Sequence, residues 1–391
     1  MTDFHPSHPN PGFGNLSLMD IITAAGAIGR MSIEVFFFIL GSVFKNNKNG
    51  DQKNNLRFFI QRRLLTYLPI SVLRRPSKSL DKALSSKRYA GLRHSFIEGV
   101  RREDFSAIWF CNPKLGDTSS PFTVADMVIL FAHGGGYVVG QPEMYTSLLM
   151  RVAEGIESSG RTIAICALDY ALAPEYVFPR QLEQMTACWD YITTELGIPL
   201  SKIALIGDSA GGSLCLSLLA HMESPAPGVP RAKISGSPGM GVYLISPWVS
   251  LLSEKGYPDK EDTDVLDARA LRKWAAMVTS GVDVSVMQKY LEFANSRDDL
   301  RKILPSRTWV SSGSDEVFLH NISAFVNTAR ASGCRVDFEV KDGQAHDWQL
   351  METLDHEDEF LSQEYPVLGA DSMTGAASIA KALMVGYNWK G

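Results

Sequence analysis

The chain has 391 residues, a formal net charge of −5 and 45% hydrophobic residues. At roughly 100–200 residues per domain this allows one large domain or two. Charged residues at 21% beside 10% aromatics exclude intrinsic disorder for the bulk of the chain. The mildly acidic balance argues against nucleic acid as a partner.

The first residues, MTDFHPSHPNPGFG, lack the positive n-region of a secretory signal. The next stretch, Ile21–Phe44, is strongly apolar but carries Arg30 and Glu34, and on an insertion scale the two contributions nearly balance. Arg30 and Glu34 are spaced for one helical face, as on a helix lying along a surface. Between Lys45 and Arg102 fifteen Lys/Arg against three Asp/Glu leave a local excess of +12. An apolar helix beside a basic segment suits an anionic membrane surface, so peripheral membrane contact through residues 21–102 is one expectation. The other is a buried lid helix with a solvated basic face, in which Phe36–Phe38 would grip an acyl or ring substrate. Residues 1–93 together read as an N-terminal cap region.

From residue 94 the pattern changes to alternating strand and helix signals, which marks 94–391 as the main domain, the one that carries the motifs below. Short apolar runs occur at Ile108–Cys111, Met127–Ala132, Thr162–Leu168, Lys202–Ile206, Val242–Ile245, Thr308–Ser311 and Arg335–Val340. Helix-length segments separate them, among them Glu143–Glu157, Arg180–Glu195, Ala210–His221 and Phe318–Ala331. This alternation predicts an α/β fold with a mainly parallel central sheet covered by helices on both faces. Residues 249–301 break the rhythm, opening polar and acidic (SEKGYPDKEDTD) before DARALRKWAAMVTSG. They read as a cap insertion over the sheet's C-terminal edge, with their acids solvated. The five scattered cysteines have no metal or redox spacing and suit a reducing, cytoplasmic setting.

The sharpest motif is Gly207-Asp208-Ser209-Ala210-Gly211-Gly212, directly after the apolar run KIALI and before SLCLSLLAHM. A serine on a tight strand-to-helix turn needs small neighbours, and its hydroxyl then stands exposed beside a helix N-terminus. The second motif, His133-Gly134-Gly135-Gly136, follows MVILFA. Consecutive glycines let backbone N–H groups approach a ligand closely, as an oxyanion hole requires, with the N–H of Ala210 completing the set. Which of Gly134, Gly135 and Gly136 donate is open at this point.

A serine nucleophile needs a base and an orienting carboxylate, in the chain order Ser, acid, His. His346, in KDGQAHDW after the run RVDFEV, occupies a loop at a strand end, whereas His320 falls on a helix and His356 in an acidic run. Asp315 is the expected acid, following TWVS through a small turn, with Glu316 as its near rival.

Together HGGGYVVG, DYALAPEYVFP, IGDSAGGSL, ISPWVSL, SGSDEV and GQAHDW resemble, in order, the hormone-sensitive-lipase-like esterases. That group has the α/β-hydrolase fold and includes arylacetamide deacetylases and fungal steryl deacetylases. The resemblance runs from about Met127 to Trp348. It implies a helical cap built from N-terminal helices plus an insertion, with Ser209 as nucleophile, Asp315 as acid, His346 as base, and oxyanion donors within Gly134–Gly136 plus Ala210. It further implies cleavage of short-to-medium acyl esters of a hydrophobic small molecule, with no metal or other cofactor. The family's usual Y-R-L-A-P-E has Ala171 in place of its arginine, which bears on pocket shape. Amide hydrolysis, acyl transfer, other biosynthetic chemistry or a small-molecule receptor would use the same scaffold. The length of chain after His346 has no role in this reading.

Overall fold

The computed structural model describes residues 16–44, 52–90, 97–111, 121–234, 239–295, 299–365 and 373–389. Four helices come first: α1 (Leu18–Phe44), α2 (Gln52–Tyr67), the single turn α3 (Ile70–Leu73) and α4 (Ser79–Ser85). Strands β1 (Ile97–Arg101) and β2 (Ser106–Cys111) precede α5 (Pro121–Val124), β3 (Met127–Ala132), α6 (Thr146–Glu157), β4 (Ile163–Asp169) and α7 (Arg180–Asp190). Next come β5 (Ile203–Asp208), α8 (Ala210–Glu223) and β6 (Gly241–Ile245), followed by α9 (Tyr257–Lys260), α10 (Ala268–Val278) and α11 (Val284–Tyr290). The chain closes with β7 (Arg307–Gly313), α12 (Leu319–Ala331), β8 (Val336–Lys341), α13 (Trp348–Ser362) and α14 (Thr374–Gly386).

The eight strands form one sheet in the order β1-β2-β4-β3-β5-β6-β7-β8. From β4 to β8 all pairs are parallel, while β1–β2 and β2–β4 are antiparallel. Strand alternation divides the side chains between two layers. In β3, Val128, Leu130 and Ala132 face one core with residues of α7, α8 and α12. Met127, Ile129 and Phe131 face the other, with α4, α6, α13 and α14. The chain after His346 therefore has a structural role: Phe360, Leu361, Ile379 and Leu383 are buried and close the second face.

Strand order reverses between β3 and β5, with β4 on one side and β6 on the other. Such a reversal opens a crevice beyond the carboxyl ends of the strands. The segments 133–136 and 209 leave β3 and β5 at that point, and residues 313–317 and 342–346 leave β7 and β8 along the same edge.

Candidate active site

Ser209 sits between β5 and α8 with φ 50° and ψ −118°. A non-glycine residue there stores about 1–3 kcal/mol, which the surroundings must hold. The Ser209 N–H donates to the Ile245 carbonyl (2.8 Å) and its own carbonyl accepts from the Trp248 N–H (2.9 Å). Gly211 is obligatory beneath it, because a Cβ there would lie 2.0 Å from the Ala132 carbonyl oxygen. These contacts bring the Ser209 hydroxyl within 2.9 Å of His346 Nε2.

His346 lies on the loop after β8 and is 3% exposed. The Phe318 ring meets its imidazole edge to face, with centroids 4.9 Å apart. Its backbone N–H donates to Asp264 Oδ1 at 2.9 Å. Asp347 Oδ2 is 3.1 Å from Nε2, on the side shared with Ser209. His346 Nδ1, where an orienting carboxylate belongs, is buried and makes no hydrogen bond.

Asp315 is not brought to that nitrogen. Its carboxylate lies outward, 3.6 Å from Lys260 Nζ and 3.2 Å from the Ser314 hydroxyl. The adjacent residue, Glu316, points inward and is fully buried. Its Oε2 accepts from the Ser246 hydroxyl (2.6 Å) and the Gly313 N–H (2.9 Å), while Oε1 is buried with no partner. The turn is fixed by the Ser314 and Asp315 N–H groups donating to the carbonyls of Lys341 and Gln344. Consecutive acids then face opposite ways, which SGSDEV does not reveal.

In the glycine loop, the Gly134 N–H donates to the Tyr145 hydroxyl at 3.1 Å and so is occupied. Gly135 (φ 101°) and Gly136 (φ 60°) adopt backbone shapes that favour glycine, and their N–H groups have no acceptor among the described residues. Ala210 opens α8, so its N–H also lacks an acceptor within the helix. The Trp274 ring of α10 lies so close over Gly136 that a Cβ there would fall 2.3 Å from it. The 249–301 segment thus touches the glycine loop directly.

Residues 129–350 match a family model described as the alpha/beta hydrolase fold. The chain belongs to the alpha/beta hydrolase fold family. An acetyl-hydrolase of Streptomyces hygroscopicus is 27% identical over 222 residues, covering 56% of this chain and 67% of that protein. Esterase LipI of Mycobacterium tuberculosis is 26% identical over 163 residues, covering 40% of this chain and 46% of its own length. The chain thus spans about two thirds of the first of these relatives and less than half of the second. A hormone-sensitive lipase from a metagenome library shares the fold, with a TM-score of 0.63 over 86% of this chain and 99% of that one at 19% identity.

Charge shapes the site of this alpha/beta hydrolase. Burial pushes the His346 imidazole down, but Asp347, Glu316 and Asp264 outweigh it and hold its pKa at about 9. Burial raises the Glu316 carboxyl to about 7 against the pull of His346. Asp208, fully enclosed, is pushed well above the carboxylate range by burial and then by Asp347, and its Oδ2 accepts from the Tyr145 hydroxyl at 2.7 Å. Among the described residues no group of three or more His, Cys, Asp or Glu is arranged to hold a metal ion.

Two features were not anticipated in the sequence. Arg74, 2% exposed, donates from Nε to the Val138 carbonyl (2.7 Å) and from Nη1 to Glu175 (2.8 Å), and its Nη2 binds the Ala173 carbonyl. It joins the N-terminal segment to both the glycine loop and the loop carrying Ala171. Asp264 and Asp267, expected to be solvated, are 0% and 1% exposed. Phe36 and Phe37, expected on a buried lid helix, are instead both 62% exposed, and Phe38 stacks on Phe59.

Proposed function

We propose that this chain is a serine carboxylester hydrolase acting through an acyl-enzyme. The observation that carries the reading is the 2.9 Å approach of the Ser209 hydroxyl to His346 Nε2 on a strained turn, beside N–H groups without acceptors. Ser209 Oγ attacks the ester carbonyl as His346 Nε2 takes its proton. The N–H groups of Gly135, Gly136 and Ala210 hold the developing oxyanion. Nε2 then returns the proton to the departing alkoxide, and a water activated by the same nitrogen cleaves the acyl-enzyme. Glu316 is the orienting acid in this reading, since its buried Oε1 is an acceptor without a partner and the buried His346 Nδ1 a donor without one.

The substrate is a short-to-medium acyl ester of a hydrophobic small molecule, in keeping with relatives named acetyl-hydrolase and ethyl acetate hydrolase. The test is hydrolysis of p-nitrophenyl esters from acetate to decanoate by the wild type and Ser209→Ala. The wild type should be active, with the variant at least about 10⁴-fold slower in kcat. Activity surviving in the variant would overturn the reading.

The chain also makes peripheral membrane contact through α1 in this reading. Leu18–Leu40 is long and apolar enough to cross a membrane and is almost wholly exposed. Its one inward acid, Glu34, pairs with Arg63 of α2 (2.7 Å) and accepts from the Tyr67 hydroxyl (2.8 Å). A helix held sideways against charged α2 lies along a surface and leaves the apolar face of Ile21, Ile22, Phe36 and Phe37 for lipid.

A further inference from the structure

Asp264 belongs to the segment between β6 and β7, outside the sheet, yet its carboxylate is buried and fully engaged. Oδ1 accepts from the N–H of Val265 (2.6 Å) and of His346 (2.9 Å), and Oδ2 accepts from the N–H of Val317 (2.8 Å). His346 and Val317 lie on different loops, one leaving β8 and the other leaving β7 just after Glu316. The neighbouring residues add to the grip. The Thr263 hydroxyl donates to the Asp315 carbonyl at 3.0 Å, and Lys260 pairs with the Asp315 carboxylate. From the other side Arg62 of α2, 4% exposed, donates to the carbonyls of Asp264 and Asp262.

We propose that Asp264 is a positioning residue for the reaction: one carboxylate sets the spacing of the histidine loop and the acid loop, and Arg62, through the Asp264 backbone carbonyl, ties that residue to the N-terminal helices. This rests on His346 acting as the base for Ser209. The physical ground is the nature of the bonds. Hydrogen bonds to an ionised acceptor are shorter and roughly twice as strong as neutral ones. Catalytic groups must be held to within about 0.5 Å by the residues behind them. A carboxylate shared between two loops supplies that tolerance, because neither loop can shift without losing a bond from a buried charge. An asparagine of the same shape keeps one acceptor and turns the other into a donor facing an N–H.

The test compares the full chain with Asp264→Asn. Three readouts are used: kcat and KM on a short-acyl p-nitrophenyl ester, the rate of Ser209 labelling by a fluorophosphonate, and amide hydrogen exchange. The expected result is a 10- to 100-fold fall in kcat and in labelling rate, with KM within threefold of wild type. Exchange should quicken in both 313–318 and 343–347. A variant whose kcat and labelling rate stay within threefold of wild type overturns the proposal, as does a loss confined to KM. Wild-type protein that the probe does not label at Ser209 points instead to failure of the nucleophile reading. If the variant does not fold, exchange in the wild type decides. The Val317 and His346 amides, held by one carboxylate, should then open together, and independent exchange overturns the proposal.

Discussion

At the scale of single residues, the neighbouring acids Asp315 and Glu316 separate two accounts of the site. Asp315 is paired with Lys260 at the surface, whereas Glu316 is enclosed beside His346. Losing the orienting carboxylate of a serine triad costs about 10⁴-fold in kcat. Glu316→Gln should therefore lower kcat by roughly 10³–10⁴-fold, while Asp315→Asn stays within about threefold, as steady-state kinetics on both will show. The pH profile is a second consequence. In the proposed mechanism His346 must be neutral to accept the serine proton, and its pKa is held at about 9, so the basic form is gained only as pH rises through that value. Glu316, raised to about 7, must be ionised and so also favours alkaline pH. A kcat/KM profile should climb from neutrality to half-maximum near 9. Asp347→Asn removes the leading upward influence on His346 and should draw that midpoint down toward roughly 6.5.

At the scale of elements, legibility in the sequence followed how locally each feature is determined. The turn β5–Ser209–α8 is written in contiguous residues, an apolar run, small residues around the serine and a helix-length apolar continuation, and it lies where the motif places it. β1 was missed because IEGVR, an edge strand, has two apolar residues among five and carries two charges. The inward acid is a matter of one residue at a turn whose direction depends on backbone bonds to the β8 loop. Asp264 looks solvated among the acids of KEDTD, and only the approach of two distant loops and Arg62 makes it a buried acceptor. The helices after His346 were not read from the sequence, since α14 gains its role only by packing on distant elements, α6 and β7. Leu383 of α14 is fully buried there. Leu383→Ala should cost about 2–5 kcal/mol, to be read as a lowered denaturation midpoint at unchanged m-value.

At the scale of the whole molecule, the N-terminal helices form one connected series. Glu34 of α1 holds Arg63 of α2, and Arg63 Nη1 reaches Asp267 (3.2 Å), whose carboxylate accepts from the Arg269 N–H at the start of α10. α10 carries Trp274, which covers Gly136. The apolar face of α1 is the free end of this series, and it has its own test. Full-length protein should co-sediment with anionic liposomes, and Phe36→Asp combined with Phe37→Asp should reduce the bound fraction at least about tenfold while leaving hydrolysis of a water-soluble ester within twofold. Equal sedimentation of both proteins would sink the membrane reading.

On the proposal that this helix lies in lipid, enzyme and a hydrophobic ester would meet in two dimensions. The relevant substrate quantity becomes the mole fraction of ester in the bilayer rather than its bulk molarity. Adding inert lipid at constant total ester would then slow turnover by diluting the surface, and a molar KM measured in one dispersion would not carry over to another.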